Sequence, residues 1–291
     1  MAEEFKSFFK IVGGNEGTLC RHNTRLDTYG CGCSHDCQFC YAKSLLEFRG
    51  LWNPSAPSVA GVDAIRRRIA LLKKKGFTGV LRLGGMTDCF QASETEHRVT
   101  YKTIQLLNEA KIPYLIVTKS HLIATDRYLN ILDPELAHIQ ISVTNTNDAQ
   151  ALRYEKASLT SKRLDALKTL QAVGEQMDVC LRLSPYLESF IDKEVIAACE
   201  PRKVLIEFLR VNHWIRRWLS AIGIFDLTAY TKKHAGYQHL PLETKIKQVE
   251  NLKQSLPKTQ ISVCEDVPEH YEYWKTINPN PDDCCNLSQA V

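Results

Sequence analysis

The sequence predicts an α/β protein in which six strand–helix units build an open parallel sheet, followed by a short C-terminal extension. Apolar runs of strand character alternate with helix-periodic segments along most of the chain, the rhythm of βα units. The 291 residues, 44% hydrophobic and 24% charged, suit one large barrel-type domain with a sizeable core. No tandem repeat, low-complexity tract or long linker interrupts the pattern. The expected organisation is an N-terminal extension over 1–24, a barrel over 25–265, and a tail over 266–291 that packs on the barrel.

A short strand near Arg25–Tyr29 runs into a cysteine-rich loop. Asp63 caps a helix reaching Lys75, with Ala64, Ile65, Ile69, Leu71 and Leu72 as its apolar stripe and Gly76 as its stop. Gly79–Leu83 reads as the second strand and Glu94–Ala110 as a helix. Pro113–Thr118 is the third strand, with a short helix over Thr125–Leu132. Ala137–Val143 is the fourth, followed by a helix from Ser161 to Val173 that Gly174 closes. Val179–Leu183 is the fifth, Asp192–Cys199 a helix, and Val204–Leu209 the sixth. A last helix, Leu242–Leu256, leads to Gln260–Cys264. Six units are too few to close an eight-stranded barrel.

Bulk properties exclude several classes. No apolar stretch approaches 18 residues, and Met1-Ala2-Glu3-Glu4 lacks the basic start of a signal peptide, so no membrane partner and a cytoplasmic location are expected. Eleven cysteines, an odd number in a chain too long for a disulfide scaffold, read better as metal ligands. Net charge of +4 and a pI near 8.4 are mild for a dedicated nucleic-acid binder. The runs Arg66–Arg68 and Lys73–Lys75 fall on an amphipathic helix and suit its solvated face. Asn212–Trp218 mixes cationic and aromatic residues, which either stack on nucleic acid or form an ordinary amphipathic helix with Trp214 and Trp218 on one face. The helical reading is preferred.

The most specific signal is Cys33-Ser34-His35-Asp36-Cys37-Gln38-Phe39-Cys40, three cysteines spaced Cys-x3-Cys-x2-Cys. Three thiolates leave one position open on a four-iron cube, and an open position means chemistry. Cys31 could complete a closed four-thiolate zinc site, which would make the chain a non-catalytic zinc-binding interaction module. Zinc knuckles separate their cysteine pairs more widely, so Cys31 is instead expected to be a small buried residue ending the first strand.

This spacing, with Tyr41 after it, resembles the signature of radical S-adenosylmethionine (SAM) enzymes. The resemblance implies a partial (β/α)6 barrel of the radical SAM type. It further implies a 4Fe–4S cluster on Cys33, Cys37 and Cys40 that cleaves SAM to a hydrogen-abstracting 5′-deoxyadenosyl radical. Gly84-Gly85-Met86-Thr87-Asp88-Cys89-Phe90-Gln91 with Glu94, then Val117-Thr118-Lys119-Ser120, then Ser142, Glu155 and Arg163 resemble, in order, blocks of the spore photoproduct lyase-like branch. The resemblance covers about residues 25–210.

Parallel sheets place working residues at the carboxyl ends of strands, which agrees with these positions. By the resemblance, Gly84, Gly85, Thr87 and Asp88 meet the SAM amino group, Phe39 the adenine, and Lys119 the carboxylate. Ser142 and Asn145 are assigned to ribose or carboxylate. Arg182 and Glu207 either face the site or pair with each other, since charges are unusual in buried parallel strands.

One departure matters. The branch's hydrogen-donating cysteine falls on Met86 here, which argues against thymine-dimer repair, while Cys89 stands three residues on and is the candidate catalytic thiol. The tail cysteines Cys264, Cys284 and Cys285 suggest an auxiliary cluster, a radical quencher or a redox pair, and a plug closing the barrel is the plainer reading. His234, His239 and His270 have no spacing that suggests a metal site. The expected substrate is a nucleobase, nucleotide or nucleic acid in a lyase- or repair-like reaction or a modification, with peptide or small-molecule modification as the alternative. The expected electron donor is a flavodoxin or ferredoxin.

Overall fold

The computed structural model describes residues 8–11, 19–173 and 176–287. The strands are β1 (Phe8–Ile11), β2 (Thr24–Asp27), β3 (Tyr29–Gly30), β4 (Ser58–Val59), β5 (Leu81–Leu83) and β6 (Tyr114–Thr118). They continue as β7 (Ala137–Val143), β8 (Asp178–Tyr186), β9 (Lys203–Phe208), β10 (Lys232–His234), β11 (Tyr237–His239) and β12 (Gln260–Cys264). The principal helices are α1 (Tyr41–Leu46), α2 (Val62–Lys74), α3 (Val99–Ala110), α4 (Thr160–Val173), α5 (His213–Ile222), α6 (Leu242–Ser255) and α7 (Pro268–Lys275).

One sheet in the order β1-β2-β5-β6-β7-β8-β9-β12 carries the fold. All its pairings are parallel except that of edge strand β1 with β2. Helices cross between successive parallel strands, and the sheet stays open between β1 and β12. It is the partial barrel anticipated, with one correction: Gln260–Cys264 pairs in register with Lys203–Glu207, making seven parallel strands rather than six.

Two helix boundaries are also corrected. The helix expected over Glu94–Ala110 breaks at Arg98, whose φ is 53°, because the Glu94 carboxylate accepts the N–H groups of Thr100 and Tyr101 at the start of α3. The helix expected over Asp192–Cys199 is shorter, Lys193–Ala197, with the Asp192 side chain capping the N–H groups of Glu194 and Val195. Gly174, the expected stop of α4, lies outside the described residues, as do the first residues of the chain.

The two faces of the sheet differ in chemistry. Successive strand side chains point to opposite faces, so Leu26, Leu81, Leu83, Tyr114, Ile116, Ile139, Ile141, Leu181, Leu183, Val204 and Ile206 join the helices in the main core. The alternate positions carry Arg25, Asp27, Arg82, Gln140, Ser142, Arg182, Ser184, Glu207 and Cys264 on the inner face. Lower on that face, Leu115, Cys180 and Leu205 pack against Cys284, Cys285 and Leu287. The tail therefore fills the barrel interior. Lys203 Nζ fastens it there, donating to Asp178 Oδ1 at 2.6 Å and to the Asn286 carbonyl at 2.8 Å.

Candidate active site

The three cysteines sit on two successive tight turns, with the Asp36 N–H donating to the Cys33 carbonyl and the Cys40 N–H to the Cys37 carbonyl, both at 3.1 Å. Asp36 takes a positive φ of 40° and binds Lys43 at 2.9 Å and Lys156 at 3.2 Å, which locks the loop from outside. Cys33, Cys37 and Cys40 line one cavity at the carboxyl ends of the strands. Cys31 does not line it. It is exposed with a φ of 53°, contrary to the buried position expected, and the fourth thiolate of a closed zinc site is thereby removed.

The loop after β5 faces the cysteines. Gly84 takes a φ of +79°, and a Cβ there would lie 2.7 Å from the Thr87 carbonyl oxygen, so glycine is required. Gly85 and Met86 donate their N–H groups to Asp27 Oδ1 at 2.6 and 3.0 Å. The Asp88 carboxylate joins three segments: it accepts from Thr118 Oγ1 and the Lys119 N–H, each at 2.8 Å, and faces His35 Nδ1 at 3.3 Å. Burial alone would raise its pKa, but the imidazole and these donors hold it at about 2. Gln91 adds a second link, accepting the Ser34 N–H at 2.9 Å. Behind the loops, Glu94 receives the hydroxyls of Tyr29 and Tyr128. Arg163 pairs with Glu155, which lies 3.9 Å from the Cys37 sulfur.

Lys119 lines the cavity with its ammonium 5.2 Å from the centre of the Phe39 ring. Ser142, Arg182 and Glu207 line it too. Arg182 bridges Gln140 at 2.7 Å and Glu207 at 2.6 Å, and Ser184 donates to the same Glu207 oxygen. The two charges thus do both things anticipated for them: they face the cavity and pair. Burial raises and Arg182 lowers the Glu207 pKa, with the lowering dominant.

These features coincide with a family model. Residues 28–195, more than half of the chain, match the Radical SAM superfamily. The chain belongs to the radical SAM superfamily. No curated protein matches it. Among solved structures, it is similar to spore photoproduct lyase complexed with dinucleoside spore photoproduct, at 12% identity over 88% of this chain and 79% of that one, with a TM-score of 0.66. A spore photoproduct lyase mutant with bound AdoMet and dinucleoside spore photoproduct gives 13% over 87% and 78%, with a TM-score of 0.64. Streptococcus suis SuiB bound to S-adenosylmethionine gives 13% over 86% of this chain and 56% of that one, with a TM-score of 0.53. At these identities the likeness is one of fold.

Radical SAM enzymes use a 4Fe–4S cluster and SAM, and this donor set fits the cluster. Burial raises the Cys40 thiol, pushes Cys33 up to about 12 and lifts Cys37 well above the ordinary range. Such sulfurs become thiolates when a cation offsets the burial, as metal coordination does.

Two assignments are corrected. Cys89 is buried in the main core, does not line the cavity, and gives its carbonyl to the Thr100 hydroxyl at 2.6 Å. The Phe90 N–H turns back onto Asp88 Oδ1 at 2.8 Å, which rotates Cys89 away from the site. Asn145 is likewise outside, bonded to Gln150 and to the Asn147 N–H as part of a loop. Cys264 and Cys284 do line the cavity, with Arg25, Arg82, Arg210 and Met86. The Cys284 thiol donates to Cys285, which holds the latter's pKa down to about 6. The signal for the missed arginines was period-2 polarity inside parallel strands.

Proposed function

We propose that this enzyme acts on a nucleotide or nucleic-acid substrate, by hydrogen abstraction in a lyase-like or modifying reaction. With the cluster on Cys33, Cys37 and Cys40, reductive cleavage of SAM supplies the 5′-deoxyadenosyl radical. The chain's own residues do the rest. Asp88 holds the cysteine loop, the glycine loop and Lys119 in one arrangement, so cofactor and substrate meet preorganised groups. Lys119 offers a point charge for the SAM carboxylate, and Gly84, Gly85 and Thr87 shape the wall that takes its amino group. Electrons come from a flavodoxin- or ferredoxin-type donor in the cytoplasm.

The observation that carries the substrate class is the cavity's cationic wall. Arg25 and Arg82 sit side by side on β2 and β5 and line the cavity, well placed for an anionic group. On the surface, Phe48 and Trp214 are exposed with parallel rings, centroids 6.5 Å apart and planes within 5°. Arg49 lies 5.1 Å from the Phe48 ring. In α5 the buried face is Ile215 and Leu219, which leaves Trp214 outward, against the single apolar face expected from the sequence. Aromatic faces beside cations suit a nucleic-acid strand. Likeness in fold to a lyase complexed with a dinucleoside spore photoproduct supports the reading.

Thiols in the cavity, Cys284 and Cys264, are placed to return hydrogen to a product radical; Cys89 is not. Binding of a short single-stranded oligonucleotide tests the substrate class. Affinity should fall steeply with added salt. Phe48→Ala and Trp214→Ala should each cost about 1–3 kcal/mol, roughly five- to a hundredfold. No oligonucleotide binding at low salt, with binding of a peptide instead, would overturn the proposal in favour of peptide modification.

A further inference from the structure

On the inner face below the arginines, the segment entering β2 meets the C-terminal tail. His22 Nε2 lies 3.0 Å from Asp283 Oδ1, and a ring nitrogen of His22, a carboxylate oxygen of Asp283 and the Cys285 sulfur all fall within 4.8 Å of one another. All three residues are buried, and His22 and Asp283 are 261 positions apart, so no local turn accounts for the meeting. We propose that His22, Asp283 and Cys285 form a second metal site, for a zinc ion, that ties the approach to β2 to the tail inside the barrel. Imidazole, carboxylate and thiolate are zinc's usual donors, and a water can take the fourth position. The carboxylate is already oriented: Asp283 accepts the Cys285 N–H at 3.0 Å and the Leu287 N–H at 3.2 Å. A divalent ion with one carboxylate and one thiolate sums to zero charge, which suits a buried place.

A second trio, His239, Glu265 and Asp266, makes the contrast clear. There Lys245 and Arg210 already neutralise the two carboxylates, so no cation is called for. Among the described residues, Asp283 forms no ion pair with lysine or arginine, only with His22.

The site shares no residue with the cysteine loop, so one elemental analysis separates the two. Holoenzyme reconstituted with iron and sulfide, equilibrated with zinc and desalted should hold about one zinc beside about four irons per chain. His22→Ala and Cys285→Ser should each cut zinc to a tenth or less while iron and far-ultraviolet circular dichroism stay unchanged. His22→Cys, which keeps a donor, should restore it. Zinc that never exceeds a trace in the wild type, or that survives both substitutions, overturns the proposal. Iron well above four without zinc overturns it too, replacing the ion by a second cluster. Loss of iron with zinc retained would fail the cysteine-loop assignment alone and leave the zinc site standing.

Discussion

The two walls of the cavity are built in opposite ways. One is made of near neighbours: Cys33, Cys37 and Cys40 on two turns, and Gly84 to Asp88 in one loop, held by Asp88 across to Lys119. The other is gathered from β8, β9, β12 and the tail, with Arg182, Glu207, Cys264 and Cys284. The family model covers the first wall and stops at residue 195, short of β9, β12 and the tail. The compact wall lies wholly within the matched residues, whereas Glu207, Cys264 and Cys284 of the dispersed wall lie beyond them.

Substitutions should break the two walls differently. The largest effect is expected at the centre of the compact wall, where Asp88→Asn strips a buried charge from three segments and should cost about 3 kcal/mol or more in denaturant unfolding. Its pH dependence has a definite sign. The folded pKa of about 2 lies below the ordinary 3.8, so the stability it confers is present above about pH 3.8 and is lost as pH falls through 2. Asp88→Asn should flatten that acid limb, and an unchanged acid limb would reassign the carboxylate to a passive role.

Lys119→Ala should leave iron content intact and weaken SAM binding by about 1.5–3 kcal/mol, roughly ten- to a hundredfold by titration calorimetry. Unaltered affinity would remove Lys119 from the cofactor wall. The smallest change in stability sharpens the comparison most. Cys89→Ala should cost about 1 kcal/mol by loss of core packing and keep normal product formation. Cys284→Ala should instead still release 5′-deoxyadenosine but uncouple it from product, as counted by chromatography. The opposite pattern would return the thiol role to the compact wall.

The compact wall was legible because its residues are adjacent in sequence: the spacing alone puts Cys33, Cys37 and Cys40 in one loop. The alternation of βα units likewise exposed the sheet, although β12 was left outside it because its partner β9 is more than fifty positions back in the chain. What sequence could not supply was the inward face. Parallel strands are assumed to be apolar on both sides, so Arg25, Asp27, Arg82 and Gln140 passed unread, although they alternate with Leu26, Leu83, Ile139 and Ile141 at period 2. Cys89 was misplaced for a local reason, a turn at Asp88 and Phe90 that reverses its side chain. Cys284 reaches the cavity for a global reason, since only the fold brings the tail inside the barrel.

The central claim, radical chemistry on a nucleotide or nucleic acid held between these walls, has a direct measurement. An oligonucleotide deuterated at its sugar and base carbons, incubated anaerobically with reconstituted enzyme, SAM and reductant, should pass deuterium into 5′-deoxyadenosine, read by mass spectrometry. Deuterium that enters 5′-deoxyadenosine from a labelled peptide, and never from the oligonucleotide or its nucleotides, would contradict the account.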